Sequence, residues 1–296
     1  MKKLNVGAGY MWFEDGWETL DNSPLRSIKK ESFQHYGKCW DSKLENFSYD
    51  ILFTSHMLEH VPHFRLEKTI SEFNRLLKIN GTLRIAVPNL EKAAKAYIKK
   101  DHNFFKKSIH YSDHMGIGAS FLRVMISPGS QNLVFSREMD EILGGYAHLY
   151  SFDFLMLKKL LEKWGFSNVK ESEPGKSSIK EMQQLQYAVV DKKKYLMDYN
   201  FLRKKSKMNS NIKIKFGGFD KKSNSQLIVE ATKLKNVKYK YDLEYNFNKI
   251  SRFDSIEFKI KIAIFRVISK AIDFIFFLLI KMRINKLIKF FLKIKN

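Results

Sequence analysis

The chain has 296 residues, 44% of them hydrophobic, and a formal net charge of +22 from 53 Lys and Arg against 31 Asp and Glu. Such a length allows one large domain or a domain with an appendage, and the apolar share is ordinary for a globular protein. A single cysteine, Cys39, excludes an internal disulfide and fits a reducing compartment. The charge is unevenly placed. Residues 1–190 hold 26 basic and 22 acidic side chains, whereas residues 191–296 hold 27 and 9. A near-neutral domain therefore carries a basic C-terminal third, which calls for an anionic partner: membrane lipid, nucleic acid or an anionic polymer. The opening Met1-Lys2-Lys3 resembles the start of an export signal, but Gly7, Gly9, Glu14 and Asp15 interrupt any apolar stretch, so none is expected.

The first predicted elements organise the rest. Lys3–Asp21 reads as a short apolar strand (Leu4, Val6), a turn (Gly7-Ala8-Gly9) and a second strand, Trp17–Leu20, followed by an acid, Asp21. Glycine serves where the backbone turns sharply or a ligand approaches it closely. A carboxylate at the tip of the next strand can accept two hydrogen bonds from a ribose diol. A dinucleotide fingerprint needs a third small residue and a full helix, yet Trp12 stands at that position and no apolar helical stripe separates Gly9 from Asp21. A ligand with a ribose and no phosphate suits the stretch better, and S-adenosylmethionine is such a ligand.

Asp50–Thr54 reads as a buried strand, followed by an amphipathic helix over about Pro62–Lys78, a strand over Thr82–Val87 and a helix over Leu90–Lys100. This alternation predicts a parallel, doubly wound sheet. Residues 101–150, rich in His, Gly and aromatics, read as a long loop, of the kind that forms a functional lid or is disordered. Phe152–Trp164 is a helix stopped by Gly165, Ser167–Lys170 begins a strand, residues 191–224 read as a lysine-rich insertion, and Leu227–Ala231 is a further core strand.

The pentapeptide His56–His60 matches H-x-x-E-H, the inverted zinc-protease motif, which needs its histidines on one face of a helix. Here it follows a strand directly and Pro62 comes two residues later, so it reads as a strand-to-helix corner and no metal is expected. A positioning divalent ion on His56, Glu59 and His60 stays open as the alternative.

Taken together, LNVGAG, the acid at Asp21, YDILFTSHMLEHVP, EFNRLLKINGTLRIAVPNL and FLMLKKLLEKWGFSNV resemble a class I S-adenosylmethionine-dependent methyltransferase. More narrowly, they resemble the methyltransferases predicted from bacterial surface-polysaccharide gene clusters. The likeness covers about residues 1–190 and 225–233. It implies an α/β fold: a Rossmann-like, mostly parallel seven-stranded sheet with helices on both faces. It also implies that Gly7, Ala8, Gly9, Asp21, Ser55 and His56 shape the cofactor site and that Asp41 accepts the adenine amino group beside Trp40. Transfer to a sugar hydroxyl asks for a base near pH 7. His60, near the expected methyl, and His148, in the GGYAHLYSF loop, are the candidates.

The domain reading is 1–235 for the cofactor-binding domain, including the 191–224 insertion, 236–255 for a linker and 256–296 for a tail. The tail holds ten basic and two acidic residues on two lysine-faced, Phe/Ile-rich amphipathic stretches, and its longest clean apolar run is only Phe274–Ile280. It is too interrupted to span a bilayer and reads as an interfacial anchor. The expected protein is a cytoplasmic methyltransferase held on the inner face of the membrane, acting on a saccharide or lipid-linked acceptor. Its alternatives are a membrane-associated scaffold with a degenerate pocket, and a methyltransferase of nucleic acid or a small lipophilic molecule. The tail's large apolar face speaks against nucleic acid, as does the lack of an amine-methylating (N/D)PPY tetrapeptide at FTSH.

Overall fold

Two alternating sets of side chains build the core. Along the strand Tyr49–Ser55, Leu52 packs with Leu4, Val6 and Leu20 on one face, while Ile51 and Phe53 point to the other. Burial on both faces is what a parallel central strand requires. The computed structural model describes residues 1–9, 12–22, 34–106, 116–126, 148–190, 192–197, 214–221 and 225–239. These belong to the first of two units into which the chain divides, Met1–Tyr239. The second, Lys240–Asn296, with the expected tail, lies outside the described residues.

Strands β1 (Lys3–Val6), β2 (Glu18–Asp21), β3 (His35–Tyr36), β4 (Tyr49–Ser55) and β5 (Leu77–Pro88) pair in parallel, in the order β3-β2-β1-β4-β5. Helix α1 (His63–Leu76) connects β4 to β5, and α2 (Leu90–Ile98), α3 (His102–Lys106) and α4 (Gly116–Met125) follow. Helix α5 (Phe154–Lys163) leads into β6 (Phe166–Ser172). The last core strand, β10 (Gln226–Lys233), inserts antiparallel between β5 and β6 and completes a mixed, mostly parallel seven-stranded sheet. The expected Rossmann-like α/β class is the fold observed.

Local chemistry explains the helix limits. Asn89 caps α2 by accepting the Lys92 N–H, and Asp153 caps α5 by accepting the Met156 N–H. Gly165 stops α5 in the left-handed region at φ +81°. Helix α1 ends at Leu76, earlier than its apolar periodicity suggests, because Leu77 already pairs with Tyr49. Buried Lys233 donates to the carbonyls of Asn74 and Leu77 at 2.5 and 2.6 Å, supplying a positive charge at the C-terminus of α1.

One face of the sheet packs α1 and α5 through Leu66, Ile70, Phe73, Leu157 and Leu161. The opposite face carries an aromatic cluster of Trp12, Trp17, Phe53 and Phe219. The 191–224 stretch is more than a polar insertion. Within it, β8 (Lys193–Leu196) and β9 (Ile214–Gly217) flank β7 (Tyr187–Val190) in a second, three-stranded antiparallel sheet. The segment after β9 docks on the aromatic cluster, where the Trp12 indole donates to the Gly218 carbonyl at 2.8 Å. It also delivers Asp220 to Arg84, a fully buried side chain on that face. Arg84 pairs with both Asp220 and Glu230, and Glu230 further accepts Ser177 and Ser178 hydroxyls.

Candidate functional site

The carboxyl ends of β1, β2 and β4 lie side by side, so the turns that leave them share one edge of the sheet. From β1 the chain turns through Gly7 and Gly9, at φ +74° and +68°, a region open to glycine at no steric cost. The Gly7 N–H donates to the Leu20 carbonyl at 2.8 Å, and the Gly9 N–H to Asp21 Oδ2 at 2.7 Å. Asp21, ending β2, is thus aimed back across the glycine turn. The two glycines differ in surroundings. A Cβ at Gly7 would meet Met57 Cγ at 2.2 Å, whereas one at Gly9 would meet nothing among the described residues within 4 Å. Gly7 admits the Met57 side chain, and Gly9 leaves the backbone approachable.

Gly7 and Asp21 line a pocket with Asn22, Gly37, Trp40, Met57 and His60. Cys39 also lines it, but burial pushes its thiol up to about 12, so it is protonated and inert at neutral pH. Ala8 turns away and packs against the Trp12–Trp17 cluster. Asp41 is not brought to the pocket. Its carboxylate pairs with Lys43 at 2.9 Å in the half-buried turn closed by the Lys38–Asp41 bridge, and Lys43 holds its pKa below the usual carboxylate range.

The H-x-x-E-H corner lies beside the pocket. Ser55 ends β4, and its buried hydroxyl has no hydrogen-bond partner among the described residues. His56 takes φ +52°, left-handed for a non-glycine residue, so the chain reverses into the single turn Leu58–His60. This aims the His56 ring away from the pocket, with Nδ1 3.1 Å from Glu59 Oε1 and Nε2 3.0 Å from Gln226 Oε1. Burial and the nearby Lys221 charge lower the His56 pKa. Glu59 is fully buried. Burial pushes its carboxyl up, but the His56 bond and the neighbouring imidazoles of His56, His60 and His148 outweigh this and bring it to about 2.

The two candidate bases are neighbours. The rings of His60 and His148 stand 4.9 Å apart in an edge-to-face arrangement, and His148 Nε2 lies 4.0 Å from Glu59 Oε1. The segment bearing His148 is tied to the corner by its backbone, since the Leu149 and Tyr150 N–H groups donate to the Glu59 carbonyl at 2.7 and 3.2 Å. Three contributors escape sequence reasoning. Met57 carries no local signal beyond being apolar, and Gln226 and Lys221 reach the corner from 170 and 165 positions beyond His56 (226 − 56 and 221 − 56).

No family model and no curated protein matches the chain. Among solved structures, it is similar to an S-adenosylmethionine-dependent methyltransferase from Thermotoga maritima, with 14% identity, 78% of this chain and 82% of that chain covered, and a TM-score of 0.37. It is also similar to an S-adenosylmethionine-dependent methyltransferase from Archaeoglobus fulgidus, with 16% identity, 78% and 86% covered, and a TM-score of 0.36. No helix among the described residues is long and apolar enough to cross a membrane.

Proposed function

We propose that the protein is an S-adenosylmethionine-dependent methyltransferase that methylates a hydroxyl of a saccharide or lipid-linked acceptor. The observation that carries this is the Gly7–Gly9 turn with the Asp21 carboxylate folded across it, at the carboxyl edge of a mostly parallel sheet. A carboxylate there suits a ribose diol, the open backbone at Gly9 suits close approach, and Trp40 offers a flat apolar wall for a base. When bound, the cofactor supplies an electrophilic methyl group. Among this chain's residues, Asp21, bonded to the Gly9 N–H, would hold the ribose, and Met57 and His60 line the same pocket.

An acceptor hydroxyl must lose its proton as it attacks, and a neutral imidazole can take it. His148 Nδ1 donates to the Val124 carbonyl at 2.8 Å, which leaves the lone pair on Nε2, the nitrogen on the Glu59 and His60 side. The tail 256–296 belongs to this reading as the attachment to an anionic membrane surface, on the inner, cytoplasmic side. Its net charge of +8 from ten basic and two acidic residues supports that role.

The test is methyl transfer. Purified protein with methyl-labelled S-adenosylmethionine is incubated with lipid-linked saccharide and soluble glycan fractions. Label appearing in a saccharide hydroxyl is the expected result. Binding of the cofactor without transfer to any fraction would favour a non-catalytic scaffold. Truncation after residue 239 should leave cofactor binding intact and remove flotation with anionic liposomes.

A further inference from the structure

We propose that Glu59, His60 and His148 form the binding site of a divalent transition-metal ion beside the cofactor pocket. Each residue offers one ligand atom, and these atoms lie within 4.8 Å of one another. Donors bonded at ~2.1 Å around a tetrahedral ion stand roughly 3.4 Å apart, so small side-chain rotations close the set. The set differs from the one the H-x-x-E-H motif suggests. Backbone reversal at His56 turns that ring toward Gln226, and His148, held against the end of α4 by its bond to the Val124 carbonyl, takes its place.

Three independent features give the cluster the character of a ligand set. The His148 Nδ1–H bond to the Val124 carbonyl fixes the ring orientation and presents Nε2 with its lone pair, as the outer partner of a metal-bound histidine does. Glu59 is fully buried, its Oε1 is held by His56, and its Oε2 has no hydrogen-bond partner among the described residues. A buried carboxylate oxygen without a donor is costly, and a cation satisfies it. Finally, His56 is itself braced by Gln226, whose amide nitrogen donates to the Lys221 carbonyl at 2.6 Å. Glu59 therefore stands inside a supporting shell, and two main-chain bonds lock its turn to the His148 segment.

Two imidazoles and one carboxylate select Zn²⁺, Mn²⁺ or Fe²⁺ over the oxygen-preferring Ca²⁺ and Mg²⁺. Among the described residues the donors number three, fewer than the four of a closed structural metal site. His60 also lines the pocket that holds Gly7 and Asp21. On the methyltransferase reading, on which this role but not the ion binding rests, the ion held by Glu59, His60 and His148 would bind the acceptor hydroxyl and lower its pKa. The hydroxyl proton then passes to water as the oxygen takes the methyl group, and the two histidines serve as ligands.

The test uses the full chain, stripped with a chelator and dialysed. Calorimetric titration with Zn²⁺ and Mn²⁺ is expected to give one ion per chain, and Co²⁺ should develop the visible absorption of a low-coordinate site. Glu59→Gln and His148→Ala should each weaken the ion at least about tenfold, while affinity for S-adenosylhomocysteine stays within about threefold. Circular dichroism checks folding, and if Glu59→Gln does not fold, His148→Ala decides alone. Absence of ion binding at millimolar metal, or unchanged affinity in His148→Ala, overturns the proposal. If the ion binds as expected but S-adenosylhomocysteine does not, the metal site stands and the methyltransferase reading fails.

Discussion

Two buried ionic clusters share this sheet, and they are finished to different degrees. Around Arg84, the guanidinium meets Asp220 and Glu230. Gly175 N–H and the Ser177 and Ser178 hydroxyls complete the two carboxylates. Around Glu59, three imidazoles gather on one carboxylate, yet among the described residues Glu59 Oε2 and the Ser55 hydroxyl have no partner. A buried charge costs stability unless its hydrogen bonds are made. The first cluster meets that condition and ties the segment after β9 to the sheet. The second leaves it unmet beside a pocket, which is where groups are held for a ligand instead of for the fold.

The comparison is broken or sharpened by variants on each side. The largest effect is expected in the second cluster and on turnover. His60→Ala or His148→Ala should lower the methyl-transfer rate by about 10²–10⁴ while leaving the unfolding midpoint nearly unchanged. Normal turnover in both variants would remove the pair from the chemistry. In the first cluster the effect should fall on stability. Arg84→Met strands two buried carboxylates and should cost about 3–5 kcal/mol in denaturant unfolding, with cofactor affinity kept in the folded fraction. A loss under about 1 kcal/mol would mean that water already reaches Asp220 and Glu230.

A smaller effect is expected with pH. Burial raises the Glu230 pKa, but Ser177, the Arg84 charge and Ser178 outweigh it, so the folded-state pKa lies below the ordinary value. The unfolded chain then takes up the proton first. Stability from this group is present above the usual carboxylate range and is lost as pH falls through the folded pKa. Unfolding free energies measured from about pH 5 down to about pH 3 should fall with a slope that Glu230→Gln reduces, and an unaltered slope would assign the acid sensitivity elsewhere.

Much of the fold is legible in local patterns. DILFT, TLRIAV and LIVEA read as buried strands, and the spacing of Leu66, Ile70 and Phe73 reads as the inner face of α1. Strands β8 and β9 are not legible, because KKYL, exposed throughout, and IKFG gain their pairing only through β7, and of the two only Phe216 packs against the distant tryptophans. The same holds in the site. Gly7, Gly9 and Asp21 show themselves within one stretch, since the turn they make is local. The meeting of His60 with His148, or of Arg84 with Asp220, depends on topology, and the intervening chain carries no sign of it. Asp41 illustrates the opposite case. The family resemblance implies an adenine contact for it, while Lys43, two positions on, offers a closer charge and pairs with it.

Calorimetric titration of the full chain with S-adenosylhomocysteine tests the central claim most directly. The account predicts one site per chain. Asp21→Ala, which removes two charge-assisted hydrogen bonds of about 1.5–3 kcal/mol each less what water restores, should weaken binding at least about tenfold. A wild-type chain that does not bind, or an Asp21→Ala variant that binds as tightly as wild type, would contradict the pocket assigned to the Gly7–Asp21 edge.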